Sequence, residues 1–334
     1  MKEKVRVALD AMGGDNAPEE IVKGAVRAVC KVQDLEVILV GDEVKIRPFL
    51  TPGSFPEDRI RIVHASEVIE MAEPPVAAIR KKKDSSIVVG MKLVRDQEAD
   101  AFLSAGSSGA VLVGGQAIVG RIRGIERAPF AVVMPTEKGC SLLLDSGANV
   151  DARPDHLVSF ARMGAIYMRD VMGVKDPSVG IVNIGAEEDK GNALVKETFP
   201  LLKACEDIRF IGSVEAREIP VGGCDVLVCE AFAGNIVIKM YEGVASVLLR
   251  EIKQSLMKNL RSKIGAFLIR PVLKETLKTY DASRHGGAPM LGLQGLVMKA
   301  HGNAKESEIY YSLLQCRRFQ RQKITEKIKN SLAS

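Results

Sequence analysis

The chain alternates between short apolar runs and glycine-rich polar turns that feed helices. Val179 to Ile184 reads as a buried strand. A turn at Gly185 follows, then Glu187, Glu188, Asp189 and Lys190, and a helix opens at Gly191-Asn192. An apolar run that ends in a glycine turn before a helix is how an open α/β sheet presents chemistry at its strand ends. The same grammar recurs along the chain. Residues 4–9 alternate and end in Asp10, and AMGGDNAP leads to a helix from Pro18 with its acids in the first turn. LEVILVGD (35–42) and RIRIVHA (59–65) are further strands, and residues 99–121 run from a strand ending at Ser104 through Ala-Gly-Ser-Ser-Gly to a helix near Ala110. LLLD delivers Asp145 into a glycine turn carrying Asn149 and Asp151, ahead of a helix from Pro154. DVLVCEAFAGN places Glu230, Gly234 and Asn235 at a turn, with Lys239 one helical turn on. His285, Gly286 and Gly287 form a last glycine turn, before a strand GLVMKAH and a basic amphipathic helix from Lys305.

This pattern predicts an α/β protein, a three-layer α/β/α fold around an open, mainly parallel sheet. No fixed-period repeat and no Ser/Gly linker appears, so a single domain over residues 1–334 is expected. One stretch departs from the pattern. Val237, Tyr241, Val244, Leu248, Ile252, Leu256 and Leu260 recur every three or four residues, giving one continuous apolar helix face. Residues 236–280 are expected to form a helical hairpin with an apolar tip at Ile264, Phe267, Leu268 and Ile269, where Gly265 and Pro271 mark a break. Between Arg250 and Lys278 eight Lys/Arg stand against two Glu. An oily tip on basic shafts is a membrane-surface contact if exposed and plain core if buried in a dimer.

Composition trims the function classes. Hydrophobic residues are 46% and charged ones 27%, the profile of a soluble globular protein, and no apolar run approaches the ~20 residues of a spanning helix. The chain enters a strand at once, so a protein without a signal peptide, resident in the cytoplasm, is expected. Six cysteines show no CxxC and no metal-ligand spacing with the four histidines, so they read as reduced core residues. Trp is absent and aromatics are 4%, which argues against stacking platforms for nucleic acid.

Six loops, after Asp10, Ser104, Asp145, Ile184, Glu230 and His285, carry glycines, acids, amides and cations. In a mainly parallel sheet they gather at the carboxyl edge, where helix N-termini favour an anion such as phosphate. They are expected to converge on one anion-binding cleft that contains Lys190. GxSxG, Walker A and HExxH are absent, and the serines of 104–108 have no adjacent histidine. Direct attack by a bound phosphate on a thioester needs no protein nucleophile, only alignment and oxyanion donors.

DAMGGDNAP (10–18), SAGSSGA (104–110), DSGANVD (145–151), NIGAEEDKGN (183–192), FIGSVEA (210–216), AFAGNIVIK (231–239) and GGAPMLGL (286–293) resemble, in this order, the PlsX family of phosphate acyltransferases over essentially the whole chain. The resemblance implies a fold similar to isocitrate and isopropylmalate dehydrogenases and to phosphotransacetylases. It implies transfer of a fatty acyl group from acyl-[acyl-carrier-protein] to phosphate, giving acyl phosphate for bacterial phospholipid synthesis, with no cofactor and no metal. The implied partners are a second copy in a homodimer, the acidic carrier protein, phosphate and an anionic membrane surface, with the membrane glycerol-3-phosphate acyltransferase as a further one, and no nucleic acid. The protein would be cytoplasmic and peripherally membrane-associated. The sequence departs from the family pattern at Ser107-Ser108, where the family commonly has Asn-Thr, and at Glu230 and Ala216.

On this reading Gly106, Ser107, Ser108 and Gly109, with Gly13, Gly14 and Asn16, hold phosphate. Lys190 neutralises phosphate or the developing oxyanion, and Asn192 and Asn235 donate to the carbonyl or the pantetheine arm. Asp10 and Asp145 orient loop backbones, and Asn149 and Lys239 complete the substrate-binding set. His285 protonates the leaving thiolate or makes a structural hydrogen bond. Two rivals remain, a phosphotransacetylase-like enzyme acting on acyl-CoA and a non-catalytic membrane scaffold for the carrier protein. A β-decarboxylating dehydrogenase is disfavoured by the absence of a nicotinamide fingerprint.

Overall fold

The computed structural model describes residues 4–280 and 286–331, with backbone alone at 278 and 279. In chain order it begins with β1 (Val5–Asp10), α1 (Glu19–Lys31), β2 (Leu35–Gly41), α2 (Glu43–Ile46), β3 (Ile60–His64), α3 (Pro75–Lys81) and α4 (Ser86–Arg95). It continues with β4 (Ala101–Ser104), α5 (Ser108–Gly114), β5 (Val132–Thr136), β6 (Gly139–Leu144), α6 (Pro154–Tyr167) and β7 (Ser178–Asn183). Then come α7 (Ala193–Lys203), β8 (Arg209–Glu215), β9 (Val226–Val228), α8 (Ala231–Leu256) and α9 (Leu260–Thr279). The end is β10 (Ala288–Met290), β11 (Leu296–Lys299), α10 (Glu306–Arg321) and α11 (Ile324–Ser331).

The α/β class is the one the pattern predicts, but the strands form two sheets. The described chain divides into two compact units, one of residues 4–132, 162–176 and 286–331, the other of residues 133–161 and 177–280. Local periodicity names strands without naming their neighbours, so the division at residue 133 and the return of β10 and β11 to the first sheet leave no mark in the pattern.

The first unit holds a sheet in the order β10-β11-β4-β1-β2-β3. All pairings are parallel except β10 against β11. Val7, Ala8 and Leu9 of β1 are all fully buried, as expected of a central parallel strand covered on both faces. On one face α1 lies against α10 so closely that a Cβ on Gly24 would sit 2.6 Å from the Cβ of Ile309. On the other, Phe102 of β4 presses against Gly90 of α4, where a Cβ would come within 2.5 Å of its ring. Bidentate pairing of Arg317 with Asp34 at 2.7 and 2.9 Å ties α10 to the turn before β2.

The second unit holds β5-β6-β9-β7-β8, with β6, β9, β7 and β8 parallel. From it α8 and α9 form the expected hairpin, with a displaced turn. The reversal lies at residues 257–259, where the Asn259 side chain accepts from the Ser262 amide at 2.9 Å, and α9 then runs unbroken through Gly265 and Pro271. An Asn ahead of a helical run is the start signal that wins here. Ile264, Phe267, Leu268 and Ile269 therefore lie along α9 rather than at the tip. All four are exposed in the single chain, Phe267 at 73% and Leu268 at 71%.

The expectation that no stretch nears spanning length is corrected at α8. It is long and apolar enough to cross a membrane by length and composition alone. Charged residues break its apolar runs but do not outweigh the average. Its buried residues are Ala231, Gly234 and Ile238, all in the first two or three turns. The expected helix from Lys305 is a pair, α10 and α11, with Lys323 at φ 53 between them.

Candidate functional site

Parallel strands put the sequence-predicted loops at two sheet edges, three in each unit. In the first unit, β1, β4 and β11 are paired with Ala8 opposite Phe102 and Lys299 opposite Ser104, so the loops after Asp10, Ser104 and Lys299 leave from one edge. Ala288 opens β10 opposite Lys299, which brings the Gly286-Gly287 turn to that edge as well.

Asp10 is fully buried at the end of β1. Its Oδ1 accepts the amides of Met12 at 3.1 Å and Gly13 at 3.0 Å, which bends the chain into the glycine turn. Its Oδ2 accepts the Ser104 hydroxyl at 2.6 Å, and Ser104 Oγ in turn accepts the Gly106 amide at 2.9 Å. Burial pushes the Asp10 carboxyl up, against hydrogen bonds from Ser104, Ser86, Met12 and Gly13 that pull it down. The two turns touch. A Cβ on Gly13 would lie 2.2 Å from Asp10 Oδ2 and 2.7 Å from the Gly106 nitrogen, so only glycine allows this approach. Ser107 caps α5, its hydroxyl accepting from Ala110 at 3.4 Å, while Ser108 is exposed. Gly109 packs on Pro75.

The structure adds a segment to this edge that the sequence does not single out as chemical, residues 299–303. Gly302 O accepts the Asp15 amide at 2.7 Å, and Asn16 Nδ2 donates to Asn303 O at 2.9 Å and Ala304 O at 3.2 Å. Lys299 Nζ donates to Ala105 O at 3.2 Å and also to Ala300 O. Asn16, a predicted phosphate ligand, therefore spends its amide on clasping this segment. His285 lies outside the described residues.

In the second unit, β6, β9 and β7 end at neighbouring positions, Leu144 opposite Val228 and Val228 opposite Ile181. Asp145 is fully buried; Oδ1 accepts the amides of Gly147 and Ala148, and Oδ2 accepts the amide of Asn149 at 2.7 Å and its side-chain Nδ2 at 2.6 Å. The carboxylate thus shapes its own turn and holds Asn149, which is 6% exposed. Asn149 O accepts the Ala231 amide, and Gly234 sits where a Cβ would be 1.9 Å from Asp145 O. Glu230 is the N-cap of α8, its carboxylate accepting from Phe232 and Ala233, so its charge serves the helix terminus. Burial, with the carboxylates of Glu230 and Asp145 adding, pushes the Cys229 thiol well up and keeps it protonated.

The loop of residues 184–192 is exposed almost throughout. Asn183 anchors it, donating to Lys190 O at 3.2 Å and Ser213 Oγ at 3.0 Å and accepting the Ile184 amide at 2.8 Å. Gly191 at φ +104 turns the chain over Asn183. Asn192 is the N-cap of α7, its Oδ1 accepting the Val195 amide at 2.9 Å, so its oxygen is engaged while its exposed amide donors stay available. Glu188 pairs with Lys203 at 2.8 Å. Lys190 is exposed and has no ion pair among the described residues. Asn235 is exposed on the first turn of α8, and Lys239 pairs weakly with Glu242 at 3.6 Å.

Each edge thus holds one fully buried aspartate, Asp10 or Asp145, whose carboxylate fixes the turn that follows it. The chain is similar to known proteins in sequence and in fold. A family described as "Fatty acid synthesis protein" matches residues 5–327. A phosphate acyltransferase of Thermoanaerobacter pseudethanolicus is 45% identical, over 99% of this chain and 98% of that one. Another, from Desulfitobacterium hafniense, is 47% identical over 98% and 97%. Among solved structures, phosphotransacetylases of Streptococcus pyogenes (TM-score 0.62, covering 95% of this chain and 94% of that one) and Staphylococcus aureus (0.59, 94% of each) share the fold at 17% identity. The chain belongs to the PlsX family of phosphate acyltransferases, transferases that move an acyl group onto phosphate.

Proposed function

We propose that the protein transfers a fatty acyl group from acyl-[acyl-carrier-protein] to inorganic phosphate, and that the acyl phosphate feeds phospholipid synthesis. The observation that carries the phosphate half is the clasp of Asp10, Ser104 and Gly106, which sets two glycine turns against each other on one edge. Amides at the start of α5 and the exposed Ser108 hydroxyl suit a tetrahedral anion. Lys190 and Asn235, on the second edge, are exposed donors of the kind a thioester carbonyl or a pantetheine arm requires.

The transfer is a direct displacement. An oxygen of hydrogen phosphate attacks the thioester carbon, the carbonyl becomes an oxyanion, and the C–S bond breaks as the C–O bond is completed. The phosphate proton ends on the departing thiol, so the sum is acyl thioester plus hydrogen phosphate giving acyl phosphate plus thiol. Oxyanion stabilisation by Lys190 and alignment of the two substrates supply the rate. Cys229 is buried, and burial pushes its thiol up, which disfavours a thiolate nucleophile at that position.

The exposed hairpin supports a setting at an anionic membrane surface. Leu260, Ile264, Phe267 and Leu268 follow helical spacing on one face of α9, with Lys253, Lys258, Arg261 and Lys263 exposed around the turn. The remaining apolar face of α8 suits a second copy of the chain. The protein would then be a cytoplasmic homodimer bound peripherally to the bilayer, handing its product to a membrane acyltransferase that acts on glycerol 3-phosphate.

Thiol release measured with and without phosphate, from long-chain acyl carrier protein and from acetyl-CoA, tests the reading. Phosphate-dependent release from the carrier protein is expected. Preference for acetyl-CoA would favour the phosphotransacetylase alternative, and no phosphate-dependent release from either would favour the scaffold.

A further inference from the structure

Lys190 stands on a loop that is exposed almost throughout, and its side chain makes no ion pair among the described residues. A lysine in that setting samples many rotamers, whereas a charge that meets a developing oxyanion has to be in place before the reaction. Something must therefore fix where this lysine starts from.

Asn183 does so through the backbone. It ends β7 and is 7% exposed. Its Nδ2 donates to Lys190 O at 3.2 Å and to Ser213 Oγ at 3.0 Å, and its Oδ1 accepts the Ile184 amide at 2.8 Å. Ser213 lies in β8, opposite Ile181 of β7. The Lys190 carbonyl is thus tied to the sheet rather than to the exposed chain between, seven residues after the strand ends. Gly191 permits the approach: its φ is +104, and a Cβ there would lie 2.6 Å from Asn183 Oδ1. The lysine stem is placed as well. A Cβ on Gly185 would lie 3.2 Å from Lys190 Cγ and 3.7 Å from its Cβ, so the stem folds back over the start of the turn.

We infer that Asn183 is the positioning residue of Lys190, holding the backbone of that lysine while Gly185 leaves room for its stem. This rests on the proposed role of Lys190 at the oxyanion. The amide nitrogen and the oxygen of Asn183 are both engaged, so it acts through the lysine and takes no part in bond making or proton transfer. An asparagine that only braced the fold would matter equally with and without the Lys190 ammonium.

The test uses the full-length enzyme. Asn183→Leu keeps the size of the side chain and removes its hydrogen bonds without adding a charge. Gly185→Ala keeps those bonds and crowds the lysine stem. Each is made alone and together with Lys190→Ala. Acyl phosphate formation is followed at varied phosphate and saturating acyl donor, below the temperature at which any variant starts to unfold. In each single variant kcat is expected to fall about tenfold or more, with the phosphate KM within about twofold of wild type. In the Lys190→Ala protein neither substitution should lower the remaining rate by more than about twofold, because the group they position is gone. A kcat unchanged in Asn183→Leu, or a fall of the same size with and without the ammonium, would overturn the inference. Should Asn183→Leu not fold, Gly185→Ala is judged by the same two outcomes. Near-normal turnover by Lys190→Ala would instead remove the role of Lys190, and a wild-type enzyme that forms no acyl phosphate would remove the functional reading itself.

Discussion

The carboxylate of Asp10 accepts the hydroxyl of Ser104 at 2.6 Å, across 94 residues of chain and two adjacent parallel strands. Through that bond the strand that ends in an acid fixes the turn that opens α5, since Ser104 Oγ also accepts the Gly106 amide. Ser104→Ala should leave a buried carboxylate oxygen and an amide short of a partner, costing about 1–3 kcal/mol of stability. The phosphate KM should rise with it. Chemical denaturation alongside kinetics checks both, and a variant as stable as wild type with normal phosphate use would refute the clasp.

Lys190 has the opposite character. It is exposed and makes no ion pair among the described residues, so Lys190→Ala should change stability by no more than about 0.5 kcal/mol. Turnover should nevertheless fall by orders of magnitude. Near-normal acyl-phosphate formation by a correctly folded Lys190→Ala protein would remove the residue from the mechanism.

Gly234 is a packing requirement rather than a chemical one. A Cβ there would lie 1.9 Å from Asp145 O, against backbone that has nowhere flexible to go. Gly234→Ala should shift the start of α8 and cost about 1–3 kcal/mol, with a corresponding fall in Tm. Gly243 has open space around it and is the control: Gly243→Ala should be neutral or stabilising.

Asp34 makes part of the stability depend on acid. Its hydrogen bonds to Arg317, with Arg321 adding, hold its carboxyl down at about 2, below the usual value near 3.8. A depressed carboxylate stabilises the fold fully above its unfolded value and loses that stabilisation as pH falls towards the folded one. Unfolding from pH 7 to pH 2 should therefore show a loss between about pH 4 and pH 2 that Asp34→Asn reduces. An identical acid limb in the two proteins would contradict this.

For the hairpin, Phe267→Asp with Leu268→Asp should release the protein from vesicles rich in anionic lipid while leaving turnover on soluble substrate unchanged. Unaltered flotation with vesicles, paired with dissociation to monomers, would assign these residues to the copy–copy contact instead.

The candidate loops were legible because each announces itself locally. An apolar run that stops at Asp10, Asp145 or Ile184 and turns through glycine is readable from a dozen residues, and the structure ends a strand at or within one residue of each. Caps are partly legible: Gly265 and Pro271 suggest a break, whereas the Asn259 side chain accepts the Ser262 amide at the start of α9 and the hairpin turns there. Lys299 could not be read this way. It looks like one more residue of a strand, and only its pairing opposite Ser104 gives it a neighbour of interest.

The sequence by itself determined the α/β class, the glycine turns at the strand ends and the family, since periodicity, turn residues and ordered motifs are properties of short segments. Only the tertiary structure decided that those loops divide between two sheets, that Asn16 and Asn192 hold backbone, and which cation stands beside which turn. Those facts depend on contacts between residues tens to hundreds of positions apart. Such contacts are set by which strands pair and pack, and no local pattern encodes that.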